Sequence, residues 1–187
     1  MVLRELPEAD LVTPKLLLTG RPGCGKTTLI KRVVKELAVP AGGFYTEEIR
    51  EHGGRVGFKL VTLDGEEAVF AHVDFPAAAG PQRLGKYGLD LAALETIGIK
   101  ALRTAVHARR LIVIDEIGPM EIRSPIFCHA VHEALDSPEA AGILATITAR
   151  SFPFTNAIKK RPDVTLIEVR SENREQLVCE LADQFRT

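Results

Sequence analysis

The chain has 187 residues, 45% of them apolar and 26% charged, enough to fill a core and too apolar for intrinsic disorder. That length fits one α/β domain, 1–187, with little room for a second. Lys and Arg (24) nearly cancel Asp and Glu (25) for a net charge of −1, which leaves no strong nucleic-acid signal of the kind a basic face would give.

Aromatic residues are only 5% and Trp is absent, which also argues against a base-stacking surface. Cys24, Cys128 and Cys179 are odd in number and far apart, the pattern of reduced thiols rather than a disulfide framework. Arg4, Glu5, Glu8 and Asp10 interrupt any signal-like apolar run. Apolar runs such as Leu111–Ile114 are strand-sized and cannot span a bilayer. A soluble cytoplasmic protein with no membrane partner is expected; its oligomeric state is left open.

Residues 1–14 read as a lead-in ending at Pro14. Lys15–Thr19 (KLLLT) is a nearly continuous apolar strand, as expected for one buried on both faces. Leu29, Ile30, Val33, Val34 and Leu37 have helical spacing within Thr27–Ala38, and Pro40 ends that helix. Gly43–Arg50, Arg55–Leu63 and Glu67–Val73 alternate as strands, with turns at His52–Gly54 and Asp64–Gly65. They predict an inserted antiparallel hairpin or meander over 43–73. Asp74–Gly88, rich in Pro, Gly and Ala, reads as a long loop of the functional kind.

Helical spacing resumes over Leu91–Ala108, with a break allowed near Gly98. Leu111–Ile114 is a second buried strand, and Pro125–Leu135 a helix with Ser124 as N-cap. Ile143–Thr148 and Val164–Val169 read as further parallel strands, and Ser171 as the cap of a last helix reaching about Phe185. The alternation predicts an α/β three-layer sandwich, a mostly parallel sheet flanked by helices.

Gly20-Arg21-Pro22-Gly23-Cys24-Gly25-Lys26-Thr27 matches G-x-x-x-x-G-K-[ST] between a buried strand and an amphipathic helix, the context a phosphate-binding P-loop requires. A chance match in a chain this long is on the order of 1%. Glycines let backbone N–H groups turn inward around a β-phosphate, and the helix start adds its positive dipole end. Lys26 is placed to reach the β- and γ-phosphates, and the Thr27 hydroxyl to ligate Mg²⁺. Cys24 reads either as a small filler in the loop or as a thiol activated by the surrounding donors.

Leu111-Ile112-Val113-Ile114-Asp115-Glu116 is an apolar strand ending in two carboxylates. Asp115 is a second Mg²⁺ ligand candidate and Glu116 a candidate to polarise an attacking water. Asp115-Glu116-Ile117-Gly118 also fits the D-x-x-G of regulatory GTPases, but no N-K-x-D segment follows. Adjacent carboxylates instead suit P-loop ATPases with an extra strand between the two motifs. Ile143–Thr148 is a candidate for that strand, with Thr146 or Thr148 at its polar end.

Several segments together resemble one family. Gly20–Thr28 (GRPGCGKTT), Gly42–Arg50 (GGFYTEEIR), Gly57-Phe58, Lys86-Tyr87, Leu111–Glu121 (LIVIDEIGPME), Thr146-Ile147 and Asn173-Arg174 follow the order and spacing of the thermophile nucleoside-triphosphatases. The human member of that family is the cancer-related NTPase. The resemblance covers about residues 15–180 and departs at Pro119, where many members carry Lys. It implies a P-loop NTPase with a RecA-like core that hydrolyses ATP, GTP and other nucleoside triphosphates, with little base preference.

By the same resemblance, nucleotide contacts map to Gly20–Thr28 and Leu111–Gly118, and Glu116 to the presumed catalytic carboxylate. Arg50, Arg150 and Arg174 are candidates for a cis-acting arginine beside Lys26, with Arg174 favoured by the family motif; each also reads as a surface ion pair. Glu47 and Glu48 either face the nucleotide or charge an edge strand. Cys128, His129 and His132 lack further ligands at metal spacing and read as structural. Two alternatives to a hydrolase stay open: a small-molecule or nucleoside kinase, and a nucleotide-gated RNA-binding module.

Overall fold

In the computed structural model, which describes residues 13–76 and 82–186, nine strands form one sheet. Most of the lead-in expected over 1–14, and part of the loop expected over Asp74–Gly88, lie outside the described residues. The strands are β1 (Lys15–Thr19), β2 (Ala41–Glu51), β3 (Gly54–Thr62), β4 (Glu67–His72), β5 (Arg83–Leu84), β6 (Tyr87–Leu89), β7 (Leu111–Ile117), β8 (Gly142–Ile147) and β9 (Thr165–Glu168). They run in the order β5-β6-β4-β3-β2-β7-β8-β1-β9.

The section from β2 through β9 is parallel: β7 pairs with β2 and β8, and β1 with β8 and β9. Alternate side chains serve opposite cores, as the two-residue period of a strand requires. Leu16 and Leu18 of β1, with Leu111 and Val113 of β7, pack on helices α1 (Lys26–Leu37) and α6 (Arg174–Gln184). Leu17, Ile112 and Ile114 face the other way, toward α3 (Ile99–His107) and α4 (Pro125–Asp136). Each fully buried Leu or Ile contributes about 1.5–3 kcal/mol. Burial on both faces explains why these strands read as continuous apolar runs.

The antiparallel strands extend this sheet directly. The first half of β2 pairs in parallel with β7 at Ala41–Tyr45, and its length from Phe44 onward pairs antiparallel with β3. Gly43 permits that crowding: it has φ 110°, and a Cβ there would stand 2.0 Å from the Val113 carbonyl oxygen.

Several elements differ from the sequence expectation. The Asp74–Gly88 stretch contains β5 and the start of β6. The helix expected over Leu91–Ala108 is α2 (Leu91–Ala93), a π turn at Leu94–Gly98, and α3. The short helix α5 (Pro153–Lys159) was not expected. Ser124 caps α4 as expected, accepting from the Phe127 N–H at 3.1 Å. Ser171 does not cap α6, which starts at Arg174 after Asn173. The Asn173 side chain folds back instead, accepting from Arg170 N and donating to the Glu168 carbonyl.

Candidate active site

The loop from Gly20 to Gly25 joins the C-terminal end of β1 to α1. Gly20, Gly23 and Gly25 have φ values of 151°, 78° and 95°. The first α1 bond is Leu29 N–H to the Gly25 carbonyl, and no side chain caps the helix. The N–H groups of Lys26, Thr27 and Thr28 come before that first helical bond, and such a helix start is suited to an anion. Lys26 Nζ folds back on the loop, 3.3 Å from the Gly20 carbonyl and 3.4 Å from that of Arg21.

Asp115 is 2% exposed at the end of β7. Thr146 donates to its Oδ1, and the Thr27 hydroxyl stands near enough to the carboxylate to favour its charged form. Its Oδ2 is buried with no hydrogen-bond partner among the described residues. Burial pushes the Asp115 carboxyl above its ordinary range, opposed by the two hydroxyls and by Lys26. A buried oxygen without a donor, beside a second hydroxyl oxygen, fits a hard divalent cation such as Mg²⁺.

Strand β8 lies between β1 and β7, the extra strand the adjacent carboxylates implied. Of the two candidate threonines, Thr146 in β8 holds Asp115, whereas the hydroxyl of Thr148, just past the strand, accepts from Arg150 N–H. Glu116 follows through a cis peptide bond. Burial raises its proton affinity while Lys26 lowers it and Asp115 adds to the rise.

These groups open into a cleft of about 510 Å³ between the phosphate loop and the β2–β3 hairpin. Lys26, Thr27, Thr28, Asp115 and Glu116 line one side, and Thr46, Glu47, Glu48, Arg55 and Phe58 the other. Glu47 pairs with Lys31 at 2.6 Å, and Glu48 with Arg50 at 2.6 Å and Arg55 at 2.8 Å. Both carboxylates thus reach the cleft as ion-paired groups.

The three arginines singled out in the sequence separate. Arg50 is exposed and bound to Glu48, and Arg150 is exposed at the end of β8. Arg174 packs against the loop itself: a Cβ on Gly25 would stand 2.7 Å from its Nη1. It is not among the residues lining the cleft. Arg55 and Phe58 do line it, although neither stood out as a site residue from the sequence.

Glu121 was also missed. It is buried in a 3-10 turn (Glu121–Arg123) and faces Glu116 across Gly118. A Cβ on Gly118 would meet Glu121 Oε2 at 2.9 Å and Glu116 Cδ at 3.1 Å. Burial, then the Glu116 charge, push its carboxyl up to about 8.

A groove of about 350 Å³ flanks the loop, lined by Arg21, Cys24 and the 168–172 segment. Elsewhere, Cys128 Sγ contacts the Ile122 carbonyl, and His132 packs edge-on against Phe154.

Residues 15–182 match the family model described as NTPase. The nucleoside-triphosphatase THEP1 of Thermotoga maritima is 47% identical over 167 residues, covering 89% of this chain and 92% of that protein. The human cancer-related nucleoside-triphosphatase is 39% identical, covering 89% and 93%. The crystal structure of THEP1 from Aquifex aeolicus is similar at a TM-score of 0.83 and 34% identity, covering 92% of this chain and 99% of that one.

Proposed function

This chain belongs to the NTPase family and is a nucleoside-triphosphatase, and on that premise we propose that it hydrolyses ATP, GTP and other nucleoside triphosphates to diphosphate and phosphate, using Mg²⁺. The reaction takes place in the cleft between the phosphate loop and the β2–β3 hairpin. The relatives' name, nucleoside-triphosphatase, favours this reading over a kinase or an RNA-binding module.

The observation that carries it is the partnerless Oδ2 of Asp115 beside Thr27, with Glu116 and Lys26 lining the same cleft. Thr27 and Asp115 would hold the cation. When bound there, Mg²⁺ would neutralise phosphate charge and polarise the transferred group. The loop N–H groups bind the β-phosphate, and Lys26 exchanges the Gly20 and Arg21 carbonyls for phosphate oxygens.

Glu116 orients a water for in-line attack and accepts its proton. The water oxygen bonds to the γ-phosphorus as the bond to the bridging oxygen breaks, its electron pair leaving with the β-phosphate. Burial makes Glu116 a better base than a surface carboxylate, and Lys26 opposes part of that rise. Arg174 stiffens the loop by filling the space beside Gly25.

The groove beside the loop, where Glu168 and Arg170 pair with each other at 2.6 Å, is the candidate site for the base. Cys24, Cys128 and Cys179 are all free thiols, which supports a reducing, cytoplasmic setting. No helix among the described residues is long and apolar enough to cross a membrane.

The test is a phosphate-release panel over ATP, GTP, CTP, UTP and deoxynucleotides, with Mg²⁺ and with EDTA. Release from every triphosphate with Mg²⁺, and none with EDTA or in Lys26→Ala, is expected. Glu116→Gln should bind nucleotide normally and lose at least about a hundredfold in kcat. Wild-type turnover in that variant would refute the role of Glu116, and release from a single nucleotide would refute broad specificity.

A further inference from the structure

Among the described residues lining the cleft, Lys26 is the only lysine and Arg55 the only arginine. They approach from opposite sides, Lys26 from the start of α1 and Arg55 from β3 on the hairpin wall. The Arg55 side chain is held along its length. Its Nε donates to the Tyr87 hydroxyl at 3.1 Å, and its guanidinium carbon stands 5.0 Å from the centre of the Phe58 ring. Tyr87 is buried and meets Phe58 edge-on at 5.4 Å, so the cradle is an aromatic pair packed into the sheet extension. Lys86 donates to the Arg55 carbonyl at 2.9 Å and fixes the backbone as well.

The far end of the guanidinium is held differently. Nη1 donates to Glu48 Oε1 at 2.8 Å, an exposed contact on the cleft wall. Glu48 has a second cation: Arg50 donates to its other oxygen through Nε at 2.9 Å and Nη2 at 2.6 Å. Glu48 therefore keeps a full ion pair if Arg55 lets go. A phosphate group, like a carboxylate, presents paired acceptor oxygens to the planar guanidinium, and with more charge. The exchange swaps one charged hydrogen bond for another and strands no buried charge.

Resting on the hydrolase reading above, we propose that Arg55 is a catalytic residue: in nucleotide-free protein Glu48 occupies its guanidinium, and with triphosphate bound that guanidinium turns to the γ-phosphate, opposite Lys26. The arginine acts in cis, from the hairpin of the same chain. It stabilises charge on the transferring phosphoryl oxygens, where a preorganised cation is most effective. The β2–β3 extension is then the arm that supplies the second cation of the site.

The experiment compares wild type with Arg55→Ala, Arg55→Gln and Glu116→Gln. Readouts are kcat and KM for ATP with Mg²⁺, affinity for ADP, and trapping of ADP with Mg²⁺ and aluminium fluoride, a mimic of the transferring phosphoryl group. Arg55→Gln keeps a hydrogen-bonding side chain for Glu48 and Tyr87 but removes the cation. Both Arg55 variants should lose at least about a hundredfold in kcat and fail to trap the fluoride complex. Each should bind ADP within about threefold of wild type, because a diphosphate presents no γ-phosphate.

Recovery of wild-type kcat in Arg55→Gln, or loss of ADP affinity together with kcat, would overturn the proposal in favour of a structural role. A kcat within about threefold of wild type in Arg55→Ala, with Glu116→Gln inactive, would overturn it while leaving the hydrolytic site intact. Full activity in both Arg55→Ala and Glu116→Gln would instead refute the assignment of the site itself.

Discussion

Replacing Glu121 by Gln should stabilise the protein, and by an amount that grows with pH. The Glu121 carboxyl is buried beside Glu116, and its folded-state affinity for a proton is raised from 4.5 to about 8. Below pH 4.5 the folded and unfolded states both hold the proton, so pH has no leverage through this group. Between 4.5 and 8 the unfolded chain gives up the proton and the folded chain keeps it, so folding stability falls as pH rises. The slope is about 1.4 kcal/mol per pH unit, and the accumulated loss by pH 8 has a ceiling of about 5 kcal/mol. Gln has nearly the same shape and carries no titrating proton. Urea unfolding of wild type and Glu121→Gln at pH 5, 6, 7 and 8 measures the difference directly. The gap should widen with each step in favour of Gln and stop growing above about pH 8. Parallel stability curves across that range would refute the claim that Glu121 is held protonated.

Thr146→Val removes the donor to Asp115 Oδ1. It should weaken the Mg²⁺ requirement's half-saturation or turnover by about 10–100-fold, read by titrating Mg²⁺ in the phosphate-release assay; an unchanged titration would show that Thr146 does not orient Asp115. Gly43→Ala puts a methyl 2.0 Å from the Val113 carbonyl at a φ of 110°. It should cost at least about 2 kcal/mol, and a variant melting at the wild-type temperature would contradict the close strand approach.

What could be read from the sequence was chemistry written in contiguous residues. The phosphate loop carries its glycines, Lys26 and Thr27 in one run, and β7 announces itself as four apolar residues before two carboxylates. Thr146 was ambiguous because a threonine in a strand is usually just a β-former. It acquires a role only because β8 sits beside β7, with Ala145 opposite Ile114. Arg55 and Phe58 were hidden for a similar reason. Phe58 pairs with Glu48 and Arg55 with Arg50, across a register shift between Ile49 and Arg50 that no alternation pattern reveals. Helix α5 is only seven residues with no side-chain cap, too short for helical periodicity to show. Glu121 looks like any charged residue after a turn until the fold closes over it.

The strands beyond β7 shorten steadily outward: 11 residues in β2, 9 in β3, 6 in β4, 3 in β6 and 2 in β5. A sheet edge is a template for pairing with another chain, and its hazard grows with the length of unpaired backbone it presents. Among the described residues this taper ends the extension on Arg83 and Leu84, a margin too brief to recruit a strand. The arm that walls the cleft is therefore also how a nine-stranded sheet stops, with its long central strands shielded from edge-to-edge aggregation.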